Sequence, residues 1–342
     1  MSRIDGWLHV SASPRGHPEP DMRFPVGSPP INALVARVAS RQTAALIRSE
    51  TVHMPGRRSF LKAAGGAALL MGAAPLLAKR AGGPGSRIDN APDIAALEAA
   101  SGGRLGVHLL HPARGPVMTH REDEAFPTAS TIKFALSAAV LARADAGALS
   151  LDDRIPVRAE DVRAGAPVTG RHAGKDMTVR DICRGCMVWS DNPGVDLLLP
   201  LVGGEAGFEA FLRQHGDADT VPRGIRAGAS TTTPRAMTHN LRRFVLEDGA
   251  LSRSSRLQLA DWLIENRTGD ARIRAGMPAG WRVGDKTGGM QNVSNDIAVL
   301  WPLTGGAPWL LALYLRESPL EASDRDAVLR RATELAAVHL RG

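Results

Sequence analysis

Apolar and polar positions follow two periods along this chain, and the switches between them mark its elements. Residues 93–100 read as helix, 105–110 as a strand and 116–120 as the strand that returns, with 111–115 as the turn. Phe126-Pro127-Thr128-Ala129 then leads into a helix starting near Ser130, with Phe134, Leu136, Ala139, Val140 and Leu141 at its apolar positions and Gly147 at its end. Between 149 and 275 helical runs dominate, at 178–188, 193–202, 208–215, 233–245 and 252–266, joined by Gly and Pro turns. Strand patterns return at 281–287, 295–301 and 309–316, with turns at 288–293 and 302–308, before a closing helix at 322–340. This order predicts an α+β fold, a two-region α/β sandwich. One antiparallel sheet is built from both ends of the domain (88–148 and 276–342) and flanked by the terminal helices, with an all-α insertion at about 149–275.

Composition adds a boundary and removes a function class. With 342 residues and 44% hydrophobic content the chain is globular. Its net charge of +7 suggests a nucleic-acid partner until the charge is located. Residues 1–87 carry 12 Lys and Arg against 4 Asp and Glu, a balance of +8 that leaves −1 for the rest. The body therefore has no excess of cations for a phosphate backbone. Within the leader, Arg57-Arg58-Ser59-Phe60-Leu61-Lys62 precedes an apolar run at 63–78 and then Lys79-Arg80. The segment resembles a twin-arginine (Tat) signal, an address read by the Tat export machinery that implies a periplasmic protein. Its Ala- and Gly-rich run is too short and weakly apolar for a stable membrane span. Met54 stands just before the arginines, which suggests the hypothesis that translation starts there. The expected organisation is an unstructured extension at 1–53, signal and linker at 54–87, and a folded domain at 88–342. A peptide from 2–48 in the unprocessed protein would sink the Met54 start.

Two residue types common in metal and redox sites are present without the matching pattern. Cys183 and Cys186 form a CxxC, but no second pair or suitably spaced His accompanies it, and the surrounding pattern is helical, so both read as small core residues. The ten histidines show no H-x-H or H-E-x-x-H spacing. No metal and no cofactor is expected.

The chemistry lies in three short motifs: Ser130-Thr131-Ile132-Lys133, Ser190-Asp191-Asn192 and Lys286-Thr287-Gly288. A serine at a helix start sits among backbone N–H groups without intrahelical partners and at a positive dipole end, both useful where an oxyanion forms. Lys133 shares that helix face and can take the Ser130 proton if burial and a neighbouring cation such as Lys286 lower its pKa. Ser190 and Asn192 would be ordinary caps in isolation. Beside Ser130, Ser190 becomes a proton shuttle to a leaving nitrogen and Asn192 a contact to a substrate amide and to Lys133, with Asp191 holding the turn. Lys286 and Thr287 can bind a carboxylate, and Gly288 lets the backbone approach closely. The Gly289 N–H joins that of Ser130 as the second oxyanion donor.

In this order the motifs are the signature of class A β-lactamases and penicillin-binding proteins, and the chain resembles a class A β-lactamase from about Asp93 onward. The resemblance extends to Phe126-Pro127, Pro167-Val168-Thr169 with His172, Thr231-Thr232-Thr233-Pro234, and the runs 283–288 and 295–299. It implies a usually monomeric serine hydrolase acting on a small β-lactam or related acyl-amide. It also implies that Arg272, ahead of the Lys-Thr-Gly strand, helps hold the substrate carboxylate, against the plain alternative of a solvated arginine.

Departures from the family pattern qualify the expected reaction. The Ω-loop of class A enzymes carries an E-x-x-L-N motif whose Glu activates the deacylating water. The corresponding interval, 216–230, is shorter and holds no Glu, only Asp217 and Asp219. Losing a positioned base typically costs about 10² to 10⁴ in rate, so acylation of Ser130 followed by hydrolysis that is slow or runs through an unidentified base is expected. A penicillin-binding or transacylating protein is the alternative, and a silent ligand-binding relative the third reading. Gly165 takes the place of the usual aromatic at the pocket mouth, and Ala129 and Met290 exclude the extra disulfide of some carbapenemases.

Overall fold

The computed structural model describes residues 90–341. The expected twin-arginine signal and the hypothesised Met54 start lie outside them. Ala91–Ser101 forms α1, closed by Gly102 at φ 64°. The predicted hairpin follows as β1 (Arg104–His111) and β2 (Gly115–His120). A short strand, β3 (Phe126–Pro127), and a 3-10 turn, Ala129–Thr131, precede α2 (Ile132–Asp145). Ser130 thus occupies the turn ahead of the α-helix, with Lys133 in the helix's first turn.

The middle of the chain is mostly but not wholly helical. It runs through β4 (Arg154–Val157), β5 (Lys175–Thr178), α3 (Val179–Val188), α4 (Pro193–Leu198), α5 (Gly204–Gln214), β6 (Thr231–Thr232), α6 (Pro234–Leu241), α7 (Arg253–Ile264) and the one-turn α8 (Ile273–Gly276). The expectation of an all-α region therefore needs correcting for two ribbons, β4 with β5 and β3 with β6. Strands of two to four residues are too short to show alternation. Three of these helices, α3, α6 and α7, begin at capping side chains. The hydroxyls of Thr178, Thr233 and Ser252 accept from the amides of Asp181, Ala236 and Ser255 at 3.1, 3.0 and 3.2 Å, each cap worth about 1 kcal/mol.

β7 (Trp281–Met290), β8 (Val293–Pro302), β9 (Trp309–Arg316) and α9 (Ala322–Ala337) complete the fold. The sheet order β2-β1-β9-β8-β7 is antiparallel throughout, joining the two ends of the domain as the element order predicted. Alternate residues go to opposite faces. Leu311, Leu313 and Leu315 of β9 pack with α1 and α9 residues such as Ile94, Leu97, Val328 and Leu329, while Leu310, Ala312 and Tyr314 pack toward α2, α6 and α7. Burial on both faces explains why these strands read as nearly continuous apolar runs, each Leu contributing about 1.5–3 kcal/mol of transfer free energy.

One boundary matters for the site. The strand carrying Lys286-Thr287-Gly288 was expected to end there, but β7 continues to Met290, pairing Gly288 with Asn295 and Gly289 with Ser294. Glycines read as a turn are ladder residues here. A Cβ on Gly288 would fall 2.9 Å from the Thr128 carbonyl oxygen and 3.1 Å from the Ser130 nitrogen. Only glycine lets β7 pass this close to the Ser130 turn.

Candidate active site

Two non-glycine residues with left-handed backbone frame the site: Ala129 at φ 45° and Ser190 at φ 59°. Such conformations typically cost about 1–3 kcal/mol and persist only where the surroundings fix them. Around Ala129 the fixing is dense. Thr128 N donates to Ser230 O at 2.9 Å, and the Thr131 hydroxyl donates to Thr128 O at 2.7 Å. From β8, Asn295 Nδ2 donates to Pro127 O at 2.8 Å and to Thr128 O at 3.2 Å. The half-buried Ser130 is therefore presented by a turn stitched to β8 and to the segment before α6.

One helical step on, Lys133 is buried, and its ammonium donates to Ser190 O at 2.6 Å, Asn192 Oδ1 at 2.8 Å and Ser190 Oγ at 3.3 Å. Lys286, also buried, donates to the same Ser190 Oγ at 3.1 Å and to Thr287 O at 2.9 Å. A hydroxyl that accepts from two ammonium groups keeps its own proton free to donate. Burial pushes the Lys133 pKa down to about 8, with Cys186 and Asp191 opposing. Burial and the adjacent Lys133 charge bring Lys286 to about 7.

Ser190 is aimed by its neighbours. Asp191 is fully buried and accepts from Val168 N, Thr169 N, Thr169 Oγ1 and Gly194 N at 2.8–3.1 Å. Its lone pairs are spent holding the turn, as anticipated. Asn192 N donates to Gly165 O at 2.8 Å, and a Cβ on Gly165 would lie 2.3 Å from Asn192 Nδ2. The glycine at the expected aromatic's place permits this contact. Cys186 packs beneath the turn and Cys183 deeper in the core; both are buried and free, as the helical pattern suggested.

Arg272 is not a solvated arginine. Its side chain is 13% exposed; Nε pairs with Asp326 at 2.8 Å, and Nη1 donates to Gly288 O at 2.8 Å and Asn295 O at 2.7 Å. It clamps β7 to β8 beside Gly289. Gly289 is the first exposed residue after the buried run on β7.

Neither carboxylate of the short interval is poised as a base. Asp217 is buried and accepts from Asp219 N at 3.0 Å, Thr220 N at 2.9 Å and Asn240 Nδ2 at 2.5 Å, while Asp219 is exposed. The interval is tied back by the Val221–Thr231 bridge and reaches β7 where Gly228 meets Met290.

Sequence reasoning missed three residues in this neighbourhood. Asn295 lay inside a matching run but carried no assigned role. Asn266 and Thr268, in the segment after α7, have no motif; only the fold brings them to Asp285 and Thr287.

A family model described as the Beta-lactamase enzyme family matches residues 90–340. Beta-lactamase L2 of Stenotrophomonas maltophilia is 46% identical over 299 residues, covering 83% of this chain and 98% of that protein. The carbapenem-hydrolyzing beta-lactamase KPC of Klebsiella oxytoca is 37% identical over 260 residues, covering 72% and 87%. Among solved structures, a beta-lactamase from Xanthomonas campestris aligns at TM-score 0.70 and 42% identity, over 73% of this chain and 97% of that one. An ancestral class A beta-lactamase aligns at TM-score 0.69 and 46% identity, over 73% and 100%.

Proposed function

Since the chain belongs to the class A branch of the β-lactamase enzyme family, we propose that it opens β-lactam rings by acylation of Ser130 and releases the product slowly. Ser130 Oγ attacks the ring carbonyl as Lys133, in its neutral form, takes the hydroxyl proton. The Oγ–C bond forms, the ring C–N bond breaks, and the Ser190 proton passes to the leaving nitrogen as Lys133, now an ammonium, hands the proton taken from Ser130 to Ser190 Oγ. The N–H groups of Ser130 and Gly289 hold the oxyanion. Lys286, Thr287 and Gly288 receive the substrate carboxylate, with Arg272 steadying the strand and adding positive charge, and Asn192 contacts the substrate amide. The observation that carries this reading is the Ser190 hydroxyl gripped by two buried ammonium groups, one of them from Lys133, three residues after Ser130 in the first turn of α2.

Slow release rests on the missing Glu and the locked Asp217. It predicts that a chromogenic cephalosporin gives a burst of about one equivalent followed by a much slower steady phase. Burst-free rapid turnover would mean that another group activates water. The same missing base favours a second reading, a penicillin-binding or transacylating protein, in which the acyl group stays bound or passes to an amine. Added amine acceptors that accelerate release would support that alternative. The twin-arginine segment supports export to the periplasm, and cell fractionation that leaves the processed chain in the cytoplasm would contradict it.

A further inference from the structure

Six methionines lie among the described residues, and they differ sharply in access to solvent. Met118, Met177, Met187 and Met237 are buried and Met277 is half-buried, whereas Met290 is 40% exposed. Met290 ends β7 at a two-residue turn, paired with Val293. Alternation along the strand decides which face its side chain takes. A Cβ on Gly288 would meet the Ser130 turn and one on Gly289 would approach Arg272 Nη2 at 3.6 Å, so Met290 returns to the Ser130 face. There its methyl lies 3.0 Å, and its sulfur 3.8 Å, from where a Cβ on Gly228 would stand.

Gly228 is joined to the nucleophile through a short run of fixed backbone. Its N–H donates to Ile225 O at 3.1 Å and that of Ala229 to Gly224 O at 3.0 Å, closing the turn against which Met290 rests. The next residue, Ser230, accepts from Thr128 N at 2.9 Å and shares a second bond with the Thr128 hydroxyl. These contacts hold left-handed Ala129, and with it Ser130. Oxygen added to the Met290 sulfur would be a polar acceptor in an apolar contact. The N–H groups of Gly228 and Ala229 are already spent, so a sulfoxide must turn to water and leave Gly228.

From this arrangement we propose that Met290 is an oxidative modification site whose state sets the acylation rate of Ser130. The co-reactant is hydrogen peroxide. One peroxide oxygen passes to the Met290 sulfur as the O–O bond breaks; the thioether gives up two electrons, the S–O bond forms, and the other oxygen leaves as water. The sulfoxide withdraws from Gly228, the 224–230 turn loosens, and Ser130 loses its fixed aim. Methionine sulfoxide reductase reverses the change. The site lies beyond the proposed reaction, and only its effect on rate rests on the reading that Ser130 is acylated.

The test treats the full chain with limiting hydrogen peroxide, maps oxygen uptake within 90–341 by peptide mass spectrometry, and measures the second-order rate constant for acylation by a β-lactam. Met290 should take up oxygen first, and acylation should fall about tenfold, inside the roughly 10²-fold that a misplacement of about 1 Å can cost. Amide exchange across 224–231 should quicken, and the reductase should restore both. Met290→Leu should be acylated at the untreated parental rate and keep that rate in peroxide. First uptake at another of these methionines, a Met290 sulfoxide acylated at the parental rate, or an equal peroxide loss in the leucine variant overturns the proposal. A parent chain that no β-lactam acylates before treatment overturns the catalytic reading and the rate effect with it, whereas first uptake at Met290 with faster exchange would still support the modification site.

Discussion

Replacing Lys133 with alanine is expected to slow acylation by a β-lactam roughly 10²- to 10⁴-fold, the range for loss of a positioned general base. The alanine also removes the donor that satisfies Ser190 O and Asn192 Oδ1. Leaving such acceptors unpaired costs about 1–3 kcal/mol, so the rate should be referred to the folded fraction measured by thermal unfolding. A pH series separates the base from the brace. The base must be neutral, and the Lys133 pKa is pushed down to about 8, so acylation should rise with pH up to that region. The anion site needs an ammonium, and Lys286, near 7, loses its charge over an overlapping range. A pair of neighbouring cations that must share one proton gives a bell-shaped profile with limbs near 7 and 8, whichever lysine gives up its proton first. In the alanine variant one limb should vanish. A variant that keeps both limbs at a reduced rate would show that Lys133 only holds the fold of the site.

Replacing Arg274 with alanine should cost about 3–5 kcal/mol of stability, read as a lower midpoint in denaturant unfolding. Asp285 has no solvent-accessible side chain, and Arg274 is its ionic partner at 2.5 Å. Burial pushes the Asp285 pKa up, opposed chiefly by Arg274 and then by Asn266 and Lys286. Removing the guanidinium leaves a buried carboxylate that must stay unpaired or take up a proton. It also frees the carbonyls of Leu263 and Ile264 at the end of α7, to which Arg274 donates at 3.2 and 3.1 Å. Adding Asp285→Asn should recover part of the loss, because the uncompensated charge is gone. A single variant as stable as the parent would mean that this cluster is solvated.

The sheet and its flanking helices were legible because residues that alternate on strands buried on both faces leave a strong apolar signal, as in 309–316, where predicted and observed bounds coincide. The short ribbons were not, since Phe126–Pro127 and Thr231–Thr232 pair only through contacts distant in sequence. Gly288 and Gly289 read as a turn because glycine favours turns, whereas here the missing side chain lets β7 pass beside Ser130. Ser130, Lys133, Ser190 and Lys286 were found through spacing, and the fold gathers Lys133, Ser190 and Lys286 around one hydroxyl. What spacing cannot carry is a bond direction. That Arg272 grips two strand carbonyls, or that Asn266 donates to Asp285, depends on residues from a segment with no pattern of its own.

The most direct test of the Ser130 assignment is intact-mass spectrometry of the chain with a β-lactam, followed by peptide mapping, on wild type and Ser130→Ala. The account predicts one adduct per chain with the mass of the whole β-lactam, mapped to the peptide containing Ser130, long-lived enough to isolate and absent from the alanine variant. An adduct that forms equally on the variant, or that maps to another residue, would contradict it.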